Sequence, residues 1–123
     1  MGKNLQRQFF TLAEPQPQDS LARIKHAAIE LERELSKGGA YEVLRPVNID
    51  PGLLNDCRVI LASTKDYAHR LYRGDGIWEE LTLIYQHGEF TPLPWTYPDF
   101  RATTYHEFFA RLRRDLLDRN AKR

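Results

Sequence analysis

The period of the apolar positions changes several times along this chain, and each change marks an element. Leu5, Phe9 and Phe10 among polar neighbours read as a strand over Leu5 to Leu12. The two prolines between Ala13 and Gln18 make a loop. Asp19 or Ser20 then offers a short side-chain oxygen to cap a helix. Leu21, Ile24, Ala28, Leu31 and Leu35 give that helix one apolar face through about Lys37. Gly38-Gly39 ends it. Tyr41 to Ile49 is extended and broken by Pro46, and Asp50-Pro51-Gly52 is a turn signal. Arg58 to Ala62 is a short apolar strand, expected to be buried on both faces. Ala68 to Arg73 alternates, Gly74-Asp75-Gly76 turns the chain, and Ile77 to Tyr85 is the clearest strand. His87-Gly88 fits a two-residue hairpin, because glycine tolerates φ > 0, and Glu89 to Leu93 returns. Thr103 or Thr104 caps a last helix, with Glu107 completing a capping box. Tyr105, Phe108, Phe109, Leu112 and Leu116 form its stripe. This order predicts an α+β fold, an antiparallel sheet with two helices packed on one face, as in ferredoxin-like or related two-layer sandwiches. At 123 residues, a single domain over 1–123 is expected.

One stretch resists that grammar. Pro94-Trp95-Thr96-Tyr97-Pro98-Asp99-Phe100 places two prolines, two large aromatics and a carboxylate in one short run. Proline fixes φ and biases the residue before it toward extended geometry, so this is neither helix interior nor central strand. It reads as a rigid loop that anchors either another layer of the fold or a ligand.

Composition narrows the function classes. Eighteen basic residues against seventeen acidic give a net charge of +1, which argues against strong non-specific nucleic-acid binding through whole-protein charge. No apolar run approaches the roughly 20 residues needed to span a bilayer, so no membrane partner is expected. A cytoplasmic location is the expectation. The single cysteine, Cys57, excludes an intrachain disulfide framework and a cysteine-based zinc site. It has no recognisable catalytic partner, and no Gly-x-Ser-x-Gly elbow is present.

Five strings together resemble the bacterial domain-of-unknown-function family 4416. They are Asn48-Ile49-Asp50-Pro51-Gly52, Leu61-Ala62-Ser63-Thr64-Lys65-Asp66, His69-Arg70-Leu71-Tyr72, Gly76-Ile77 with Glu80 and Thr82-Leu83, and Pro94 to Asp99. The resemblance runs in order over most of Met1 to Arg114. The sequence departs from the family's pattern at Leu53, Arg73 and Trp78-Glu79; Arg73 and Glu79 place charges on usually apolar or small positions. The family carries no established activity, so the resemblance implies no catalytic residues and no cofactor. Some members bear a GTP-binding designation, which finds no support in a Gly-x-x-x-x-Gly-Lys-Ser/Thr loop here. The resemblance also implies a further strand–helix–strand segment before Met1-Gly2. Its absence would leave a sheet edge exposed beside Leu5 to Leu12, a template for homo-oligomers.

Three constellations are candidates for chemistry. Asp50, Asp66, Glu80 and Asp99, with His69, are oxygen and imidazole donors at strand ends and turns, which suits a divalent metal. The sober alternative is turn chemistry and capping. Lys65, His69, Arg70 and Tyr72, preceded by Ser63-Thr64, suit a phosphate or carboxylate. The alternative is a hairpin face with cross-strand pairs, Arg70 or Arg73 against Glu79 or Glu80. Trp78, Tyr85, Phe90, Trp95, Tyr97 and Phe100 suit base stacking, or core packing. The basic end of the last helix complements its dipole. The leading expectation is a binding module for an anionic ligand (nucleotide, phosphorylated metabolite or RNA) using Lys65, His69, Arg70 and Tyr72 beside Trp95 and Tyr97. On that expectation Arg70→Ala weakens binding with little loss of fold. The competing expectation is a metal-dependent enzyme of phosphoester chemistry using Asp50, Glu80 and Asp99.

Overall fold

The computed structural model describes residues 7–37 and 47–121. Among them, helix α1 (Leu21–Lys37) precedes and helix α2 (Thr103–Ala121) follows an open antiparallel sheet. Its strands are β1 (Gly52–Leu54), β2 (Arg58–Ser63), β3 (Arg70–Gly74), β4 (Ile77–Gln86) and β5 (Glu89–Pro92). A 3-10 turn over Pro98–Arg101 leads into α2. The α+β expectation holds in this arrangement. No helix connects two strands among the described residues, so the split βαβ of a ferredoxin-like sandwich is not what orders this sheet. None of the described helices is long and apolar enough to cross a membrane.

The hairpins form where the sequence supplies left-handed residues. Asp75-Gly76 and His87-Gly88 have φ of 55° and 76°, and of 54° and 81°. Two successive positive φ values match the twist of the flanking strands, so both connections close in two residues. The β3–β4 and β4–β5 pairings follow. β1 was not expected, because Gly52-Leu53-Leu54 is too short to show a period. Gly52 lies so close to β2 that a Cβ would stand 2.7 Å from the Ile60 carbonyl oxygen.

Strand β4 organises the sheet. One side pairs with β2, from Arg58 opposite Ile84 to Ser63 opposite Trp78. The other side is shared: β3 takes Ile77 to Glu80, and β5 takes Leu83 to Gln86. Leu81 and Thr82 fall between the two. The β2 register steps there from Val59–Leu83 to Ile60–Leu81, leaving Thr82 as the extra residue of a bulge. The Pro94–Phe100 loop fills the gap. Trp95 Nε1 donates to the Leu81 carbonyl at 2.6 Å, and Thr96 Oγ1 donates to the Thr82 carbonyl at 2.7 Å. The same hydroxyl accepts from the Leu93 N–H at 2.8 Å, and Arg101 ties the Leu93 and Thr96 carbonyls together. The anchoring role expected of this loop is therefore met by the fold itself.

The two helices take opposite faces rather than one. Successive strand side chains alternate, and β2 divides its side chains between two clusters. Val59 and Leu61 pack with Leu83, Phe90, Phe100 and α2's Phe109. Ile60 and Ala62 pack with Ile77 and α1's Leu21. β2 is thus covered on both faces, though only Val59 and Ala62 of its residues are buried. Tyr105, Phe108, Phe109 and Leu112 of the predicted α2 stripe pack into the first cluster, but the first turn is closed by the Ala102 carbonyl accepting from Tyr105 and His106, not by a Thr104–Glu107 box. The Ser20 carbonyl accepts from Ile24, while its hydroxyl turns back to donate to Pro17.

A second correction concerns the expected strand at Leu5 to Leu12. Residues 7–12 join no strand, and residues 5–6 lie outside the described residues, as do the Gly38-Gly39 stop and 41–46 of the next extended stretch. Residues 47–49 are not in a strand either. Phe9 instead enters the α2 cluster, stacking on Phe108 at 4.7 Å and meeting Tyr105 edge-on at 4.9 Å. One large aromatic inserted into a core replaces a ladder of backbone bonds, and Phe10 and Leu12 are left exposed. The oligomerising edge expected there is accordingly absent from the described residues.

Thr96→Val tests the bulge plug. It keeps the shape of a side chain only 4% exposed but unpairs the Thr82 carbonyl and the Leu93 N–H. A loss of about 2 kcal/mol is expected from buried groups left without partners, read as a lower urea midpoint at unchanged slope.

Candidate functional site

Opposite the α2 end of β4, the sheet carries a buried carboxylate. Glu80 sits between β2 and β3, and its side chain is 3% exposed. A charge removed from water needs donors, and two neighbours supply them. Arg70, directly across on β3, places Nε 3.1 Å from Oε1. His69 places Nε2 2.7 Å from the same oxygen. Since an ionised carboxylate only accepts, the imidazole donates through Nε2, and a neutral His69 keeps Nδ1 as an acceptor.

The arginine is turned into the fold. Its NH1 group donates to Ser63 Oγ at 2.9 Å and to the Lys65 carbonyl at 3.1 Å, and its side chain is 6% exposed. Its guanidinium carbon lies 4.4 Å from the centre of the Tyr67 ring. Here the sober alternative of the sequence reading is what forms: Arg70 faces Glu80, and Arg73 lies 3.2 Å from Glu79. Arg70 is a positioning residue that holds the Ser63–Lys65 turn against β4, so Arg70→Ala is expected to cost stability as well as binding.

A ladder of rings covers this pair. His69 stacks on Trp95 with centroids 5.3 Å apart and planes 17° from parallel, and on Tyr67 at 6.1 Å and 12°. Trp95 is fixed from behind by its bond to Leu81. Tyr67 and Trp95 keep 50% and 37% of their surface in solvent. The Lys65 side chain is exposed and forms no ion pair among the described residues. Tyr72 pairs with Trp78 on the same face, one rung further along; the rings are 4.9 Å apart, and the Tyr72 hydroxyl accepts from the Gly76 N–H.

The expected residues therefore separate into groups. His69, Arg70 and Trp95 come together with the main-chain carbonyl of Lys65, Tyr72 stands one rung along, and Tyr97 is exposed at the start of the 3-10 turn. Asp50 and Asp99 lie elsewhere, sharing Arg7 at 3.8 and 2.9 Å. Among the described residues no group of three or more His, Cys, Asp or Glu side chains is placed to hold a metal ion. Tyr67 was missed. Its signal was the spacing Tyr67-x-His69, which puts two rings on one side of a turn only once Glu80 fixes the histidine. An open cleft of about 420 Å³ lined by Thr104, Glu107, Ala110, Arg111 and Arg114 shares none of these residues.

On the opposite face Glu79 is less well served. Its Oε2 is buried with no aligned hydrogen bond, although Arg73 is close enough to attract it. Burial pushes its carboxyl above the usual glutamate range, and Arg73 pulls it only part of the way back. Arg73 and Glu79 thus face one another across the β3–β4 pairing.

A family model described as a domain of unknown function (DUF4416) matches residues 1–116. No curated protein and no solved structure matches the chain.

Two outcomes follow. Arg70→Ala leaves Glu80 buried with His69 alone, and a loss of about 3 kcal/mol is expected in urea unfolding; an Arg70→Met/Glu80→Leu double variant is expected to recover most of it. For Glu79, a raised folded-state value means stability present below pH 4.5, the ordinary value, and lost as pH rises through the raised one. Glu79→Gln is therefore expected to unfold at a higher temperature than the native chain at neutral pH, with the advantage vanishing toward pH 4.5.

Proposed function

Because the chain belongs to the DUF4416 family, whose description assigns no activity, we propose its function from the site alone: a small cytoplasmic binding module for an anionic ligand. The ligand class is a nucleotide, a phosphorylated metabolite or RNA. The observation that carries this reading is the ring ladder of Tyr67, His69 and Trp95, with His69 held by buried Glu80, Trp95 held by the Leu81 carbonyl, and the main chain of Lys65 tied to Arg70 beneath it. Rings fixed in advance lose little side-chain entropy when a ligand lands on them, so more of the contact energy is left for affinity. Lys65 supplies a point charge for phosphate, and His69 supplies a ring nitrogen that donates when protonated and accepts when neutral. Arg70 and Glu80 act through these side chains, by setting where they stand.

Lys65→Ala alters an exposed side chain and is expected to leave the melting temperature nearly unchanged, whereas Tyr67→Ala also removes the ring over Arg70 and is expected to lower it modestly. Each is expected to weaken binding of nucleoside phosphates roughly tenfold, the scale of one stacking or charge contact. Isothermal titration against a panel of nucleotides and sugar phosphates measures this, and unchanged affinity in both variants rejects the assignment.

A further inference from the structure

We infer that the ligand of this face is a single-stranded nucleic acid, held by stacking two of its bases on two separate ring platforms. The inference rests on the binding reading above and makes it specific. The first platform is Tyr67, His69 and Trp95, seated on the Arg70–Glu80 rung. The second is Tyr72 with Trp78, the next rung on the same face of the sheet. Rungs two residues apart are separated by roughly 7 Å of strand rise. That separation lets neighbouring bases splay onto different rings while their backbone continues between them, the arrangement by which sheet faces read single strands.

Among the described residues, three features of the fold leave this face uncovered. Helix α1 lies over the opposite face of the sheet. Helix α2 packs on β5, β1 and the 3-10 turn, at the other end of β4. The charges beneath the platforms are already matched, Glu80 by Arg70, so ring faces and not a basic field are what the surface offers. Lys65, whose main-chain carbonyl accepts from Arg70, has an exposed side chain and no ion pair among the described residues. The occupant must therefore carry several flat rings and little need for dense positive charge, which a base-stacked strand satisfies and a lone phosphate does not. Binding governed by one phosphate contact gives a shallow salt dependence, with log K falling at about −0.7 per unit of log salt.

The two tryptophans of the chain lie one in each platform, so Trp78→Phe leaves Trp95 as the reporter of the first platform alone. The full chain is titrated with inorganic phosphate, a sugar phosphate and uridine mono-, di- and tetranucleotides, and intrinsic fluorescence is followed in the native protein and in Trp78→Phe. The tetranucleotide is expected to bind at least tenfold more tightly than the mononucleotide, with the shallow salt slope. Trp95 is expected to remain quenched in Trp78→Phe, at reduced affinity. Equal affinity for mono- and tetranucleotide overturns the two-platform inference and leaves the binding reading standing. Binding of inorganic phosphate or a sugar phosphate with no response to any oligonucleotide does the same. A salt slope several times steeper moves the contact to another surface and also overturns it. No response to any of these probes overturns both.

Discussion

A carboxylate buried beside the middle of a sheet has to be answered by donors brought to it, and Glu80 sets that demand for this protein. Its answer fixes three segments at once. Arg70 must stand directly across the β3–β4 ladder, His69 must turn inward just before β3, and the Ser63–Lys65 turn must lie where Arg70's remaining N–H groups can reach it. A mutual attraction of this kind adds little to stability beyond what two apolar side chains would give. What it adds is direction. An apolar pair would not hold an imidazole upright or keep its ring plane parallel to two neighbours, and the exposed ladder of Tyr67, His69 and Trp95 depends on that orientation.

The bulge at Thr82 plays the complementary part. An extra residue in β4 leaves two consecutive carbonyls without strand partners, at the point where β3 has ended and β5 has not begun. The loop that satisfies them does so with side chains, an indole N–H and a hydroxyl, and so carries Trp95 to the sheet edge beside His69. One polar debt in the backbone thus determines where an exposed aromatic stands. The ring face and the buried ion pair are joined through β4, since Leu81 and Glu80 are neighbours in sequence.

Much of this was legible before any coordinates. The helix over Leu21–Lys37 and the one over Thr103–Ala121 follow from their stripes, and both two-residue hairpins follow from Asp75-Gly76 and His87-Gly88, because these depend on local backbone energetics. The pairing of Arg70 and Arg73 with Glu79 and Glu80 was open to a reading of the β3–β4 register, since a short turn leaves few ways to pair the strands. The strand over Leu5 to Leu12 failed for a different reason. Two adjacent phenylalanines in a polar run do not distinguish a ladder from a single inserted ring, and the α2 cluster had room for Phe9. Tyr67 went unnoticed because nothing in its neighbours states that a histidine two residues on will be held by a carboxylate eleven residues away.

The sequence by itself determined what short-range physics controls: the helical stretches, the turn residues, the rigidity of the Pro94–Phe100 loop, and the supply of charged and aromatic side chains. Only the tertiary structure decided which of those side chains were used up and which were left over. It placed the helices on opposite faces of the sheet, because alternate residues of β2 each needed an apolar cover. It also turned Arg70 from an available cation into a buried strut and left the rings of Tyr67, Trp95 and Tyr72 in solvent. Burial and partnership are properties of contacts between residues distant in the chain, and no spacing along the chain encodes them.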